Sequence, residues 1–278
     1  MKTHHHFNSI FITVCALLFP QALHAQSVQT LDSAYMKIAY KYERTRKPPR
    51  VRPLTDQLIL AIGKDVSVFY SPLTFEMDTL NASPKGEEIF MKRFSDAFDK
   101  GIILSKKYMT YIFKNYPHGA VTVTDIINTD AYLYEDKLND QKWHIEDSTK
   151  SILNYECQKA TCTYRGRQWT AWFAPEIPIG NGPWLLGGLP GLIMEAYDSE
   201  RLYVFTAVGL EKVTDNPIVI IRNPNMKGYV KTTRKEFLKG KEQYTKHPMA
   251  HIEAQLGIKI GDESPNQEQY EPIEFLEK

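Results

Sequence analysis

Apolar and polar residues alternate with a period of two along most of the chain, and this pattern restricts the fold to a β-rich one. It is clearest in Ser33–Arg44, where every second residue is apolar or aromatic. Similar runs follow at short intervals, separated by turn residues such as Gly63–Asp65. Runs joined by such short turns pair as antiparallel hairpins. The sequence therefore predicts a meander of antiparallel strands.

Two segments have helical spacing instead. Glu87–Lys100 places its apolar residues three and four positions apart, which predicts a helix that covers a face or an end of the sheet. Thr233 is suited to cap a helix over the charged residues that follow, and a further helical turn is expected from Pro248. The expected fold is mainly β (α+β): a curved antiparallel sheet, as a half-barrel or sandwich, with one covering helix and C-terminal helices.

The N-terminus has the features of a cleavable export signal. A basic Lys2 precedes the apolar run Ile10–Phe19, and Ala25 supplies the small residue expected at a cleavage point. The run is about ten residues long, which is too short to span a bilayer. We expect residues 1–25 to be removed, and the product to work in the periplasm, at the outer-membrane periphery or outside the cell.

The rest of the chain divides into one domain and a tail. Residues 26–261 show no internal repeat or boundary, so we expect a single β-rich domain, and the acidic, proline-bearing residues 262–278 predict a mobile tail. The first 25 residues contain one Lys and no acidic residue, so the mature chain carries 33 basic and 33 acidic side chains. This balance argues against a nucleic-acid partner. No later segment approaches the ~20 apolar residues of a membrane helix, and the oligomeric state is left open.

The segment Cys157–Asp198 concentrates three of the four Trp residues and a dense run of Gly and Pro. Glycine permits close backbone approach and proline pre-sets φ, so we expect a fixed loop between two strands. Its centre reads GGLPGLI at Gly187–Ile193, and Cys157–Ile193 as a whole resembles the block that gives the secreted bacterial GLPGLI family its name. That resemblance implies a secreted protein and carries no assigned reaction.

Several residues of this segment are candidates for a binding site or for a structural loop. Arg167 could hydrogen-bond the carbonyls of the loop, or it could form a hydrolase centre with Glu176 and Glu195. One of the strand tryptophans is expected in the core and the other at the surface or the loop. The complete set of binding or structural candidates is Arg167, Trp172, Glu176, Trp184, Leu189, Pro190 and Glu195.

Cys157 and Cys162 are the two cysteines outside the N-terminal apolar run. An exported protein can keep a disulfide, so a local bridge is one alternative. On one unbroken strand, however, residues five apart lie about 16 Å from each other, and a bridge would need a turn or bulge between them. Both alternatives stay open at this point.

The sequence offers no metal or cofactor signature. His247 and His251 are four apart, as helical ligands are, but no third ligand has suggestive spacing. A nucleophile elbow and a phosphate loop are also missing. We therefore expect no metal and no cofactor.

Three functions fit these observations. The first is a non-catalytic envelope protein that binds an apolar small molecule or a protein segment. The second is a hydrolase centred on Arg167, Glu176 and Glu195. The third is an accessory component of an outer-membrane assembly, with an envelope protein as its partner.

Overall fold

The computed structural model describes residues 28–45, 53–83, 85–101, 106–138, 140–221, 228–249, 253, 257 and 271–276. The predicted export signal lies outside these residues. Within them, twelve strands and three helices follow one another. In chain order these elements are β1 (Val28–Arg44), β2 (Leu54–Gly63), β3 (Ser67–Tyr70), α1 (Pro72–Asn81), α2 (Gly86–Asp99), β4 (Tyr111–Lys114), β5 (Ala120–Ile127), β6 (Asp130–Lys137), β7 (His144–Ile152), β8 (Tyr155–Tyr164), β9 (Arg167–Ala174), β10 (Leu192–Asp198), β11 (Tyr203–Ile221), β12 (Val230–Lys231) and α3 (Arg234–Lys246). The prediction of a mainly β fold is confirmed.

All twelve strands belong to one sheet, in the order β12-β6-β5-β4-β3-β2-β1-β11-β10-β9-β8-β7. The pairing of β12 with β6 is parallel, and the other neighbouring strands are antiparallel. In the described part of the chain the sheet is open, with β12 and β7 at its edges. The long strand β1 lies near the middle, because it pairs with β2 on one side and with β11 on the other.

The two faces of the sheet bury different sets of side chains. The larger core, which defines the inner face, includes Ile38, Phe69, Ile112, Trp169 and Phe205. This core draws residues from both halves of the strand order, so the sheet curves around it. The opposite face buries a smaller cluster around Phe113 and Tyr70.

Helix α3 covers part of the inner face. Phe237 packs its ring against those of Tyr132 and Tyr134 on β6, with centroid distances of 5.8 and 5.3 Å. The predicted N-cap is present: the Thr233 hydroxyl accepts from the Glu236 backbone N–H, and the Glu236 side chain accepts from the Thr233 N–H. These reciprocal bonds satisfy two backbone donors that a helix start leaves without partners.

Helix α2 forms where Glu87–Lys100 predicted a helix. It contacts α1, and its Phe94 and Phe98 are 44% and 75% exposed. The predicted helix is therefore present. Its contact with α1 depends on the tertiary structure and could not be derived from the helical spacing. Among the described residues, no helix is long and apolar enough to cross a membrane.

Candidate functional site

The inner face carries a cavity of about 330 Å³. Its floor comes from strands on both sides of β4, and its walls come from α3, from the loop before β10 and from the C-terminal residues 271–274. The lining mixes aromatic rings with both signs of charge. The chemically active groups among its lining residues are Tyr42, Arg44, Thr45, Lys107, Tyr108, Thr110, Asp125, Tyr134, Trp184, Tyr203, Lys241, Thr245, Glu271 and Glu274.

Asp125 is the carboxylate that the sheet itself contributes to this cavity. It lies on β5 and is 5% exposed. The Thr110 hydroxyl donates to it at 2.8 Å, and the Lys241 ammonium from α3 is ion-paired with the same oxygen. Because a buried carboxylate needs such partners, the packing of α3 on the sheet fixes where this charge lies.

Tyr108 and Tyr134 bring two phenol groups to the same cavity. Burial raises the pKa of both hydroxyls, and the nearby carboxylates Asp125 and Glu274 raise it further. Both tyrosines therefore keep their protons throughout the physiological range. Tyr42 packs edge-on to Tyr108, with ring centroids 5.6 Å apart. The cavity thus offers neutral hydrogen-bond donors within an aromatic wall.

The C-terminal segment Glu271–Leu276 closes one side of the cavity and is held mainly by arginines. Arg167 donates from Nε to the Pro272 carbonyl at 3.0 Å, and its Nη2 reaches a Glu271 carboxylate oxygen at 3.4 Å. Arg234 pairs with Glu274 at 2.6 Å. These six residues fall within the region predicted as a tail, and they lie against the folded domain.

Arg167 is buried, but its bonds do not go to the Gly/Pro loop. Besides the C-terminal segment, its Nη1 donates to Asp198 at 2.8 Å, where the side chains of Arg167 and Asp198 are 6% and 2% exposed. Glu176 is exposed, and Glu195 pairs with Lys150 at 2.9 Å. Arg167 and Glu195 thus have different ion-pair partners, whereas Glu195 and Glu176 both lie close enough to Cys157 to raise the pKa of its thiol.

The Gly/Pro loop, residues 175–191 between β9 and β10, is held by Lys114 instead. The Lys114 ammonium donates to Asn181 Oδ1 at 2.9 Å and to the carbonyls of Gly182 and Leu186, each at 2.7 Å. Lys114 is 3% exposed, and burial lowers its pKa to about 7. None of its acceptors in the described part of the chain is a carboxylate. In the sequence, Lys114 occupies a position of the alternating β4 pattern where an apolar, core-facing residue is expected. This is the signal by which the sequence could have indicated a buried lysine.

The other candidates of this loop have mostly structural surroundings. Trp184 is buried against Trp169, with ring centroids 5.2 Å apart, and Leu189 is buried as well. Pro190 is exposed, and Trp172 is half-buried under the ammonium of Lys150, which lies 4.5 Å from its ring centroid. Of these residues, Trp184 alone lines the cavity.

Gly191 shows why the GGLPGLI motif needs a glycine after its proline. A Cβ added there would lie 2.3 Å from the carbonyl oxygen of Ala174, at the point where the loop returns to the sheet. No side chain fits at that distance. The motif therefore has a packing requirement that is independent of any chemistry.

Cys157 and Cys162 lie on the single strand β8 and are free thiols. Of the two alternatives left open by the sequence, the structure therefore shows the one without a disulfide. Both cysteines are buried. Burial raises the pKa of Cys157 to about 11 and that of Cys162 to about 12. Neither thiol forms an appreciable amount of thiolate at neutral pH.

Among the described residues, no group of three or more His, Cys, Asp and Glu side chains is arranged to hold a metal ion. His247 follows α3 as its C-cap, and His251 lies outside the described residues.

A comparison with protein families finds a match to an enzyme domain. A family model described as the N-terminal domain of an N-glycanase peptide, PNGase F-II, matches residues 104–235. This is somewhat less than half of the chain. Among curated proteins, none matches.

Two solved structures of PNGF-II, in different space groups, resemble the fold. They are 12% and 13% identical in sequence and give TM-scores of 0.49 and 0.48. The matches cover 77% and 76% of this chain but only 34% and 33% of those chains. The chain thus spans about a third of the length of the PNGF-II structures.

The family match contradicts the prediction of a non-catalytic envelope binding protein, because the matched domain is described as part of a glycan-cleaving enzyme. That prediction rested on the absence of a short catalytic motif. The cavity groups come from strands, a helix and a terminal segment that are far apart in the chain, so they form no short motif. The absence of a short catalytic motif was therefore no evidence against an enzyme. The resemblance to the GLPGLI family and the export of the chain stay predictions.

Proposed function

We propose that this protein acts on N-glycosylated polypeptides, with the inner-face cavity as the site that receives the carbohydrate and supports its hydrolytic release. The observation that carries the proposal is the cavity itself. It combines a buried carboxylate, protonated tyrosines and cationic side chains within one enclosed space of about 330 Å³.

The family match supports this reading by its position. Half of the chemically active groups of the cavity come from the matched residues 104–235, among them Lys107, Tyr108, Asp125, Tyr134 and Trp184. The part of the chain that resembles an N-glycanase domain therefore contributes a large share of the cavity, including its buried carboxylate. Helix α3 begins within that range and contributes Lys241 from just beyond it.

The lining suits a carbohydrate. Aromatic rings offer flat apolar faces with polar edges, and the hydroxyl of Tyr108 can donate to sugar oxygens, while that of Tyr134 donates to Glu274 at 3.4 Å. Asp125 can accept from sugar hydroxyls through the lone pairs that its bonds with Thr110, Lys241 and the Ile126 backbone N–H leave available. The site therefore provides both donors and acceptors for a ligand rich in hydroxyl groups.

Asp125 is also the group that we assign to catalysis. Hydrolysis adds the hydroxyl of a water molecule to carbon, breaks the carbon–nitrogen bond between glycan and polypeptide, and delivers a proton to the leaving nitrogen. In this proposal Asp125 takes the proton from the water as a general base and then passes that same proton to the leaving nitrogen. Lys241 lies beside it and can stabilise negative charge on an oxygen as that charge develops.

The test is the release of glycan from a purified N-glycosylated peptide, followed by mass spectrometry. The wild-type chain without residues 1–25 is expected to release glycan, and Asp125→Asn is expected to lower the rate by about 100-fold or more, the size typical of a lost general base. Glu176→Gln is the matched control, because it neutralises an exposed carboxylate outside the cavity, and it should leave the rate unchanged.

Two results would contradict the proposal. One is a folded wild-type protein that releases no glycan from any N-glycosylated peptide tested. The other is an Asp125→Asn variant that keeps the wild-type rate. Thermal unfolding of both variants, measured beside the rates, separates a lost catalytic group from a lost fold.

A further inference from the structure

We propose that the groove that holds Glu271–Leu276 is the subsite for the polypeptide part of the substrate, and that the protein's own C-terminal segment occupies this subsite as a built-in competitor. The inference rests on the proposed function. It adds a binding site beside the carbohydrate cavity and the class of ligand that the site takes, an extended polypeptide.

The groove holds the segment by its backbone as well as by the side chains of Glu271, Glu274 and Phe275. The Tyr203 hydroxyl and Arg44 donate to the Glu271 carbonyl at 2.6 and 3.2 Å. Arg167 donates to the Pro272 carbonyl, and Arg234 donates to the Phe275 carbonyl at 3.0 Å.

The sheet also accepts one backbone bond from the segment. The Phe275 N–H donates to the carbonyl of Arg165 at 2.9 Å, at the turn between β8 and β9. Main-chain groups are the same in every polypeptide, so contacts of this kind tolerate many sequences. This tolerance is what an enzyme needs if its substrates share a glycan but differ in polypeptide sequence.

Glu274 marks the position in the groove at which a bound polypeptide would place its glycosylated residue. Its side chain is 6% exposed and lines the cavity, where it meets Arg234 at 2.6 Å and the Tyr134 hydroxyl at 3.4 Å. A glycosylated asparagine at the same position of a bound polypeptide would direct its sugar into the cavity. The segment therefore mimics a substrate, with a carboxylate where the glycan would begin.

Phe275 and Gly166 show that the groove is shaped for a bound chain. The Phe275 ring stacks against the guanidinium of Arg167, with 5.0 Å between the carbon of that group and the ring centroid. A Cβ added at Gly166 would lie 2.9 Å from Phe275 Cβ, so a side chain at position 166 would push the segment away. Gly166 also has a φ of +78°, which favours glycine.

The experiment weakens the segment and then offers a peptide in its place. The full mature chain with Glu271, Glu274 and Phe275 all replaced by Ala keeps the groove but loses the side-chain contacts that hold the segment. A fluorescent peptide of sequence EPIEFL, which copies residues 271–276, is titrated into this variant and into the wild type, with fluorescence anisotropy as the readout. We expect the peptide to bind the variant at least ten times more tightly than the wild type.

A second peptide tests the backbone contacts. It is identical except for a methyl group on the nitrogen of its phenylalanine, which removes the N–H that bonds Arg165. It should bind the variant at least five times more weakly. If the triple variant does not fold, Phe275→Ala alone weakens the segment, and the same comparison is made with it.

Equal affinity of the peptide for the wild type and for a folded variant would overturn the inference, and so would equal affinity of the methylated and unmethylated peptides. These titrations need no turnover, so a failure of the proposed hydrolysis leaves them valid. Conversely, glycan release without peptide binding would sustain the proposed function and remove this inference alone.

Discussion

Lys114 gives the protein a pH-dependent stability that a single substitution should remove. The ammonium is buried and donates to three oxygens of the Gly/Pro loop. Burial lowers its pKa from 10.5 to about 7. Lys114→Met keeps a side chain of similar length and removes the titrating group.

The sign and size of the effect follow from the two pKa values. Between about pH 7 and pH 10.5 the unfolded chain binds a proton that the folded chain has lost, so the free energy of unfolding rises with pH in this window. The slope approaches about 1.4 kcal/mol per pH unit, and the whole window corresponds to roughly 5 kcal/mol. Below pH 7 both states carry the charge, and the folded state bears the full cost of burying it.

Urea unfolding at pH values from 6 to 10 measures this effect for the wild type and for Lys114→Met. Subtracting the two curves cancels the groups that titrate in both proteins, including the buried tyrosines and cysteines. The difference should be level below pH 7 and should rise in favour of the wild type above it. A difference that stays level up to pH 10 would refute the reasoning, since it would mean that the three oxygens keep the ammonium charged in the folded state.

Two further predictions concern Arg167 and the cysteines. Arg167→Ala should lower the free energy of unfolding by about 3–5 kcal/mol, because it leaves the buried Asp198 without its guanidinium partner. Arg167→Lys should have a free energy of unfolding between those of the wild type and Arg167→Ala. A loss below about 1 kcal/mol for Arg167→Ala in urea unfolding would contradict this prediction. Without reductant, the unfolded chain lacking residues 1–25 should react with two equivalents of a thiol reagent, because Cys157 and Cys162 are free. The folded chain should react far more slowly at pH 7, since burial raises the pKa of both thiols. Rapid labelling of the folded protein would count against their burial.

The sequence by itself determined the elements of local structure. Alternating residues predicted β1 within Val28–Arg44, helical spacing predicted α2, and Thr233 predicted the start of α3. These features depend on backbone geometry and on neighbours a few residues away, and that information is contained in a short window of sequence. The mainly β class follows from the same patterns.

Only the tertiary structure decided which side chains meet. Lys114 contacts Leu186, which is 72 residues away, and Arg167 contacts Pro272, which is 105 residues away. In the sequence Arg167 stands shortly before the glycine-rich loop and Lys114 stands within an alternating strand pattern, but their partners depend on the order of strands in the sheet, which alternation does not encode. The cavity has the same origin, because Asp125 reaches Lys241 only when α3 packs on the curved inner face. The hydrophobic pattern determines which face of each strand is buried, and the strand order determines what it is buried against.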